Sequence, residues 1–423
     1  TGWAQELFGH STQVFTPEKI AEHLAADSFP SNSQLGIRLL DPACGAGHLL
    51  IPAAEHWLLQ TAGSYRMTGQ PGKPGKHEQL QELLSEVITG LDVEPKLLQL
   101  CGFAFYLLAR DQLSEPCDLP IPRLFLSLSA AGSLTLASDD NSDWQDLEGK
   151  TATKLRATSY NQIVMNPPYL STRIMGDTTA NFLKRHYPDS AGDLYTAFIE
   201  LATSLLAPGG KLSMIVQQSF LSVQRYRAFR LKLLEHCHIN SCLTLGLGSF
   251  SARPGEKVNS AVLTLERKHS ENTASAINSL AEPLIDSSNR TMSIGRMENK
   301  NLTTNQIAEK TALATINSIS GNPFAFDCPT ALANCFKEFP ALADIDGIAI
   351  VNGLFTCNNK KFVKQDSELS ENEKHLYVHY DKGGGQKWYH QTSYRLFWPD
   401  HGDSIRQYRK ERGQSQALPG EEF

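Results

Sequence analysis

The chain has 423 residues, 41% of them hydrophobic and 20% charged, and a formal net charge of −6. That length exceeds what one core usually supports and predicts two or three domains, while the composition excludes disordered, fibrous and membrane-spanning classes. No apolar run approaches the ~20 residues that cross a bilayer and no signal-peptide pattern opens the chain, so a cytoplasmic protein is expected. The acidic balance argues against a surface coated for nonspecific nucleic-acid binding, although a cleft can carry a local positive field.

In chain order, residues 17–28 carry Pro17 at a first turn and apolar residues at helical spacing, predicting a helix preceded by Phe15 and Thr16. A strand of apolar residues (36–41), a Gly-bearing turn and a helix (49–59) follow, the order of a nucleotide-binding α/β unit. Residues 62–77, rich in Gly, Pro and Lys, read as an inserted loop, followed by a helix (79–86), a strand (87–92) and a helix to about residue 108. Further strands are expected at 162–165, 211–216, 243–247 and 261–266, with a helix at 194–206 and Pro208-Gly-Gly as a turn. The alternation predicts an α/β fold with a doubly wound, mostly parallel sheet over residues 1–267. A polar connector is expected at 268–325, and a second region from 326 to 423. The first residue is Thr and the last segment stops in mid-pattern, so a portion of a longer protein is expected.

Eight cysteines are scattered without a paired framework, which suits reduced thiols. His236, Cys237, His238 and Cys242 lack a second ligand pair at zinc spacing, so no metal site is expected.

Three segments carry chemistry. In Asp41-Pro42-Ala43-Cys44-Gly45-Ala46-Gly47-His48 a Gly-x-Gly turn after a strand lets backbone approach a ligand, and the amides opening the next helix suit an anion such as the carboxylate of a methionine moiety. Position 50 is Leu, which disfavours a pyrophosphate cofactor; the alternative is a tight structural turn. Asp92 ends the second strand, where a carboxylate can accept both hydroxyls of a ribose, or instead cap the following helix. Asn166-Pro167-Pro168-Tyr169 follows a strand, at the sheet edge where open α/β folds bind ligands. The Asn166 amide oxygen and the Pro167 carbonyl can accept both hydrogens of an aromatic amine, with the two prolines stiffening the backbone and Tyr169 offering a π face to a base lifted from its stack.

Phe15-Thr16-Pro17, Asp41 to Gly47 and Asn166 to Tyr169, in that order, resemble motifs X, I and IV of the gamma-class DNA adenine-N6 methyltransferases. The resemblance implies a Rossmann-like class I methyltransferase fold with a C-terminal target-recognition region, S-adenosylmethionine as cofactor and double-stranded DNA as substrate. By that resemblance Phe15, Thr16, Pro17, Asp41, Ala43, Cys44, Gly45, Gly47, Asp92 and Asn166 hold the cofactor. Asn166, Pro167, Pro168 and Tyr169 are then catalytic, and Phe250 stacks on the flipped adenine unless it is a core residue. The chain departs from the family at Ala131 to Thr135, which lacks the acidic or amide residue expected to bind the cofactor adenine; Asp139 and Asp140 lie just downstream. The segments Asn352 to Phe362 and Lys382 to Tyr389 are similar to the large methyltransferases of phage-defence systems, BREX PglX and the DISARM methylase, which implies possible partner subunits. Lys360, Lys382, Lys387 and Trp388, with Lys361, Arg395, Tyr389 and Tyr394 near them, are candidates for meeting phosphates and bases, or equally for solvated loops over buried aromatics.

Competing readings are a DNA-sensing subunit whose catalysis depends on partners, and an N-methyltransferase acting on RNA or a protein glutamine. C5-cytosine chemistry needs a nucleophilic thiolate, and Cys44 lies in the proposed cofactor turn instead.

Overall fold

The computed structural model describes residues 16, 18–28, 36–68, 75–113, 118–129, 131–137, 144–151, 159–172, 174–246, 259–269, 290–298, 301–326, 328–348, 354, 356–380 and 393–412. The chain divides into two compact units, Thr1–Phe339 and Pro340–Phe423.

The first unit opens with helix α1 (Glu18–Ser28), strand β1 (Leu39–Asp41), helices α2 (Leu50–Thr68) and α3 (Lys76–Glu82), strand β2 (Ile88–Asp92) and helix α4 (Pro95–Gln112). Strands β3 (Leu124–Ser127), β4 (Trp144–Asp146) and β5 (Tyr160–Met165) come next, then helices α5 (Asp177–His186) and α6 (Leu194–Leu205). Strand β6 (Leu206–Gln217), helix α7 (Arg227–His236) and strands β7 (Cys237–Gly246) and β8 (Ser260–Arg267) follow. The unit continues with strands β9 (Thr291–Glu298) and β10 (Asn301–Ala308) and helices α8 (Glu309–Ser318) and α9 (Thr330–Glu338).

Its ten strands form one sheet in the order β10-β9-β7-β8-β6-β5-β1-β2-β3-β4. The central five, β6-β5-β1-β2-β3, are all parallel. Strand β8 runs antiparallel between β6 and β7. Period-two alternation sends successive residues to opposite faces, and both faces are buried. Ile163, Met165, Met214 and Val216 point into a core shared with α5, α6 and α7, whereas Val164, Ile215 and Val262 point into a core shared with α1, α2 and α4. Helices on both faces put the parallel strand ends at one edge, with a topological switch where β5 and β2 flank β1.

Several expectations are corrected. Helix α2 runs to Thr68, not 59, because no proline interrupts it there and the Thr61 hydroxyl donates to the Trp57 carbonyl at 2.9 Å within the helix. Pro208-Gly209-Gly210 is a kink inside β6 rather than a turn before it: Gly209 has φ +74°, and a Cβ on Gly210 would lie 2.8 Å from the Ala207 carbonyl and 3.0 Å from that of Tyr160. The expected connector at 268–325 contains β9, β10 and α8, with β9 parallel to β7. These strands lie at the margin of the sheet; among their described side chains Met292 is covered while Asn305 and Gln306 are exposed, in keeping with a composition that reads as polar. The unit boundary falls after Phe339 because Phe324 and Phe326 are buried in the first unit, Phe324 edge-on to Phe220 at 6.2 Å.

The second unit carries a short helix α10 (Asn359–Phe362), strands β11 (Val363–Gln365), β12 (Tyr377–His379) and β13 (Tyr394–Phe397), and helix α11 (Asp403–Glu411). Its sheet, β11-β13-β12, is antiparallel, over a small core of Phe362, Leu396 and Ile405.

Candidate active site

The carboxyl ends of β1, β2 and β5 meet at one cavity of about 210 Å³, lined among others by Thr16, Asp41, Ala43, Cys44, Gly45, Asp92, Asn166, Pro167, Pro168 and Tyr169. Residues more than 100 positions apart in sequence converge because the strands that carry them are parallel neighbours. Gly47 shapes the turn from behind: its φ is +88°, and a Cβ there would stand 2.9 Å from Cys101 Sγ.

The turn is tied to β2 by backbone and carboxylate together. Cys44 N–H donates to the Leu91 carbonyl at 2.9 Å. Asp92 Oδ2 accepts from Gly45 N–H at 2.7 Å, and Oδ1 accepts from the N–H groups of Val93 and Glu94, both at 2.8 Å. The cap of α4 is Glu94, which accepts from Lys96 N–H, so Asp92 is not that helix's N-cap. Asp41 Oδ1 accepts from Ala43 N–H at 3.0 Å. Burial pushes the Asp41 carboxyl up to about 8, opposed by the Ala43 N–H and reinforced by Asp92. Burial also raises Asp92, with three backbone N–H groups pulling the other way. Two buried carboxyl groups therefore line one small cavity, Asp41 holding its proton near neutral pH, and both present oxygen acceptors to a ligand.

On the opposite wall, Asn166 Nδ2 donates to Thr16 Oγ1 at 3.1 Å, joining the loop to the entry of α1. Tyr169 is fixed against the sheet: its hydroxyl donates to the Ile215 carbonyl at 3.3 Å and its ring stands edge-on to Tyr195 at 5.6 Å and 73°. Burial raises the Tyr169 phenol well above its usual range, so it stays protonated. Where this chain lacks the acidic or amide residue expected from the resemblance, Ala131, Gly132 and Ser133 line the cavity, and the Ser133 hydroxyl donates to the Pro42 carbonyl. Leu194 and Phe198 of α6 complete the apolar wall; the sequence reading missed them and Asp193, although an Asp before a long apolar helix is a recognisable start signal.

Phe15, Pro17, Asp139, Asp140, Phe250, Lys382, Lys387, Trp388 and Tyr389 lie outside the described residues. Lys360 is exposed on α10. Arg395 is paired within its own unit, its Nε donating to Asp366 Oδ1 at 2.7 Å. A different group of cations stands out. Lys361 Nζ lies 4.5 Å from the centroid of the Tyr408 ring and Arg412 Cζ lies 5.0 Å from it. Asn358 Nδ2 holds the Tyr408 hydroxyl at 3.1 Å.

Cavity, turn and Asn-Pro-Pro-Tyr loop together invite comparison with known proteins. Residues 86–250 match the Eco57I restriction-modification methylase family. Beyond that methylase match, the chain is homologous to enzymes named adenine-specific methyltransferases. It is 22% identical to the adenine-specific methyltransferase PglX of Lacticaseibacillus casei (strain Zhang) across 93% of this chain and 38% of that protein. It is 24% identical to the adenine-specific methyltransferase BrxX of Escherichia coli O9:H4 (strain HS) across 84% of this chain and 34% of that protein. The chain thus spans between a third and two fifths of these curated relatives. In structure it is similar to a nuclease-deletion mutant of the Type ISP restriction-modification enzyme LlaGI in complex with a DNA substrate mimic, with TM-score 0.54 and 12% identity over 86% of this chain and 31% of that one. That likeness supports the class I methyltransferase fold expected from the sequence: counting β1, β2, β3, β5, β6, β7 and β8 as seven strands, the order is 3-2-1-4-5-7-6. No helix among the described residues is long and apolar enough to cross a membrane.

Proposed function

We propose that this chain is the methyltransferase portion of a site-specific DNA methyltransferase of a phage-defence or restriction-modification system, which methylates the N6 amine of an adenine lifted out of the duplex. The observation that carries the reading is one cavity bounded by a Gly-rich turn, two buried carboxyl groups and the Asn166-Pro167-Pro168-Tyr169 loop. The residues present fit S-adenosylmethionine: Gly47 leaves the turn free of a Cβ that would strike Cys101, Asp92 Oδ2 has a lone pair beyond its Gly45 bond for a ribose hydroxyl, and a cationic ligand in the cavity would favour ionisation of the Asp41 carboxyl, which burial otherwise keeps protonated.

When bound, that cofactor supplies an electrophilic methyl group on a positive sulfur. The protein's part is to make an aromatic amine nucleophilic. Asn166 Nδ2 donates to Thr16, which orients the amide; in the proposed reaction the Asn166 amide oxygen accepts one amine hydrogen and the Pro167 carbonyl accepts the other. Both acceptors polarise the N–H bonds, carry the positive charge that grows on nitrogen as the methyl transfers, and need no reorganisation because the prolines fix the backbone. The methylated amine then releases its proton to solvent. Tyr169, held by Ile215 and Tyr195, lines the cavity as a surface for the base.

Residues 326–423 are proposed as the start of the target-recognition region; those from Pro340 onward form the second unit, with exposed Lys360, Lys361 and Arg412 as contacts for phosphates. Lys382, Lys387 and Trp388 keep their proposed role in contacting DNA, and Phe15, Pro17 and Phe250 theirs in the cofactor and base sites. Transfer of a labelled methyl to genomic DNA from a host lacking the gene, followed by nucleoside digestion and mass spectrometry, tests the reaction. N6-methyladenine is the expected product, and Asn166→Ala is expected to lower kcat by ~10²–10³-fold. Another methylated nucleoside, or an active Asn166→Ala, overturns the reading.

A further inference from the structure

Pro167 and Pro168 have no backbone N–H, so the stretch that presents the two acceptor oxygens cannot be held by a ladder of its own. Its ends must hold it. Upstream, β5 stays paired to β6 as far as Met165 opposite Met214, and Asn166 is bonded to Thr16. Downstream, besides the Tyr169 hydroxyl on the Ile215 carbonyl, the backbone is held at the start of α6. Leu170 N–H donates to Asp193 Oδ1 at 3.0 Å, Leu194 N–H donates back to the Leu170 carbonyl at 3.0 Å, and Ser171 and Asp193 form an isolated antiparallel bridge. Tyr195, two residues on, supplies the ring against Tyr169.

Asp193 precedes α6 as a helix cap would, yet its side chain makes no regular cap bond. The amides of Leu194 and Tyr195 face the carboxylate without closing that geometry, and the full hydrogen bond crosses 23 positions to Leu170. The residue is 6% exposed, and its own carbonyl is fixed by the Thr196 hydroxyl at 2.8 Å. A buried carboxylate is costly to keep without a specific partner. Here the partner is the first amide after the Asn-Pro-Pro-Tyr motif.

We propose that Asp193 is a positioning residue for methyl transfer, its carboxylate fixing the downstream end of the loop and thereby the placement of the Asn166 and Pro167 acceptor oxygens. This rests on the reading of those two groups as acceptors for the target amine. The cofactor turn is held separately, through Asp92 and Leu91. Loss of Asp193 therefore acts on the chemical step more than on cofactor binding, since an error of about 1 Å at the reacting groups costs on the order of 10²-fold.

The test uses Asp193→Ala and Asp193→Asn in the full-length protein, with three readouts: kcat for labelled methyl transfer to genomic DNA from a host lacking the gene, S-adenosylmethionine Kd by calorimetry, and Tm. Asp193→Ala is expected to lower kcat ~10- to 100-fold with Kd changed by less than about threefold, and Asp193→Asn, which keeps Oδ1 as acceptor, to recover most of the rate. Unchanged kcat in Asp193→Ala, or parallel losses of kcat, affinity and Tm in both variants, overturns the assignment. Should the Ala variant fold poorly, Asp193→Glu, which displaces the acceptor by one methylene, must lower kcat with Kd retained; full kcat there is equally fatal. Asn166→Ala in the same assay separates the two levels. If it stays active the acceptor reading fails, whereas an inactive Asn166→Ala beside a fully active Asp193→Ala sinks only the role of Asp193.

Discussion

Replacing Asp92 with Asn asks whether this carboxylate serves a ligand or only the fold. Both of its oxygens accept backbone N–H groups, Oδ2 from Gly45 at 2.7 Å and Oδ1 from Val93 and Glu94 at 2.8 Å. An amide has a single acceptor oxygen. With that oxygen kept on the Val93 and Glu94 pair, the new NH₂ faces Gly45 N–H, donor against donor, and one charge-assisted bond worth about 1.5–3 kcal/mol is lost. Burial raises the pKa of Asp92, so the neutral side chain also sheds a desolvation cost that the carboxylate carries. The balance predicts a loss of roughly 1–2 kcal/mol in unfolding free energy. Cofactor affinity should suffer more. A ribose hydroxyl donating to Oδ2 would meet a donor instead, weakening binding about 10- to 100-fold at 1.36 kcal/mol per tenfold. Urea unfolding and calorimetric titration with S-adenosylmethionine read the two effects separately. A Kd within about threefold of the parent, alongside the stability loss, would refute the ribose role and leave Asp92 as a strut of the turn.

Three other perturbations follow from the same geometry. Asp41 has its carboxyl raised from 3.8 to about 8, so the folded state holds a proton that the unfolded chain gives up; stability from this group is complete below pH 3.8 and lost as pH rises through about 8. Asp41→Asn should therefore gain on the parent between pH 5 and pH 8 in paired urea melts, and a difference independent of pH would show the carboxyl is not buried as described. Arg230 is fully buried and donates to the carbonyls of Asn322, Phe220, Val223 and Gly321 at 2.6–2.8 Å, so Arg230→Met should cost about 3 kcal/mol or more by urea unfolding; a loss under about 1 kcal/mol contradicts that network. Lys361→Ala and Arg412→Ala should each lower the salt-dependence slope of DNA binding by about 1 with cofactor Kd unchanged, whereas an unaltered slope removes these residues from the DNA contact.

The turn and loop proposed to hold the cofactor and the target amine were legible because they carry rare residues in fixed order: glycines where φ is positive, an acid at a strand end, two prolines behind an Asn. The resemblance to adenine-specific methyltransferases that these motifs carry is borne out by the relatives. The parallel strands β1, β2, β5 and β6 were legible because both faces are buried and they read as short apolar runs, whereas the parallel strand β3 was not foreseen. Strands β9 and β10 were not, since their polarity is that of a sheet margin and mimics a linker. The ion pair of Arg395 with Asp366 was hidden for a related reason: it comes from the pairing of β13 with β11, a long-range register that no local pattern reveals. Asp193 escaped as well, because an acid before a helix has an adequate local explanation and its bond to Leu170 exists only once the fold brings the two together.

The two halves of the cavity are held by opposite means, and this bears on which of them substitution can retune. The proposed cofactor side is held mainly through backbone groups: amides of Gly45, Val93 and Glu94 converge on the Asp92 carboxylate, Gly45 and Gly47 take positive φ that strains other residues, and a Cβ on Gly47 would stand 2.9 Å from Cys101 Sγ. The acceptor side has prolines that forbid a backbone ladder, and it is tied down by side chains instead: Asn166 to Thr16, Leu170 to Asp193, Tyr169 to Tyr195 and the Ile215 carbonyl. Backbone-held geometry is insensitive to conservative side-chain change, whereas side-chain-held geometry can shift by fractions of an ångström without loss of the fold. Rate-altering substitutions in this protein should therefore concentrate on Thr16, Asp193 and Tyr195, and affinity-altering ones on Asp92 and the glycines of the turn.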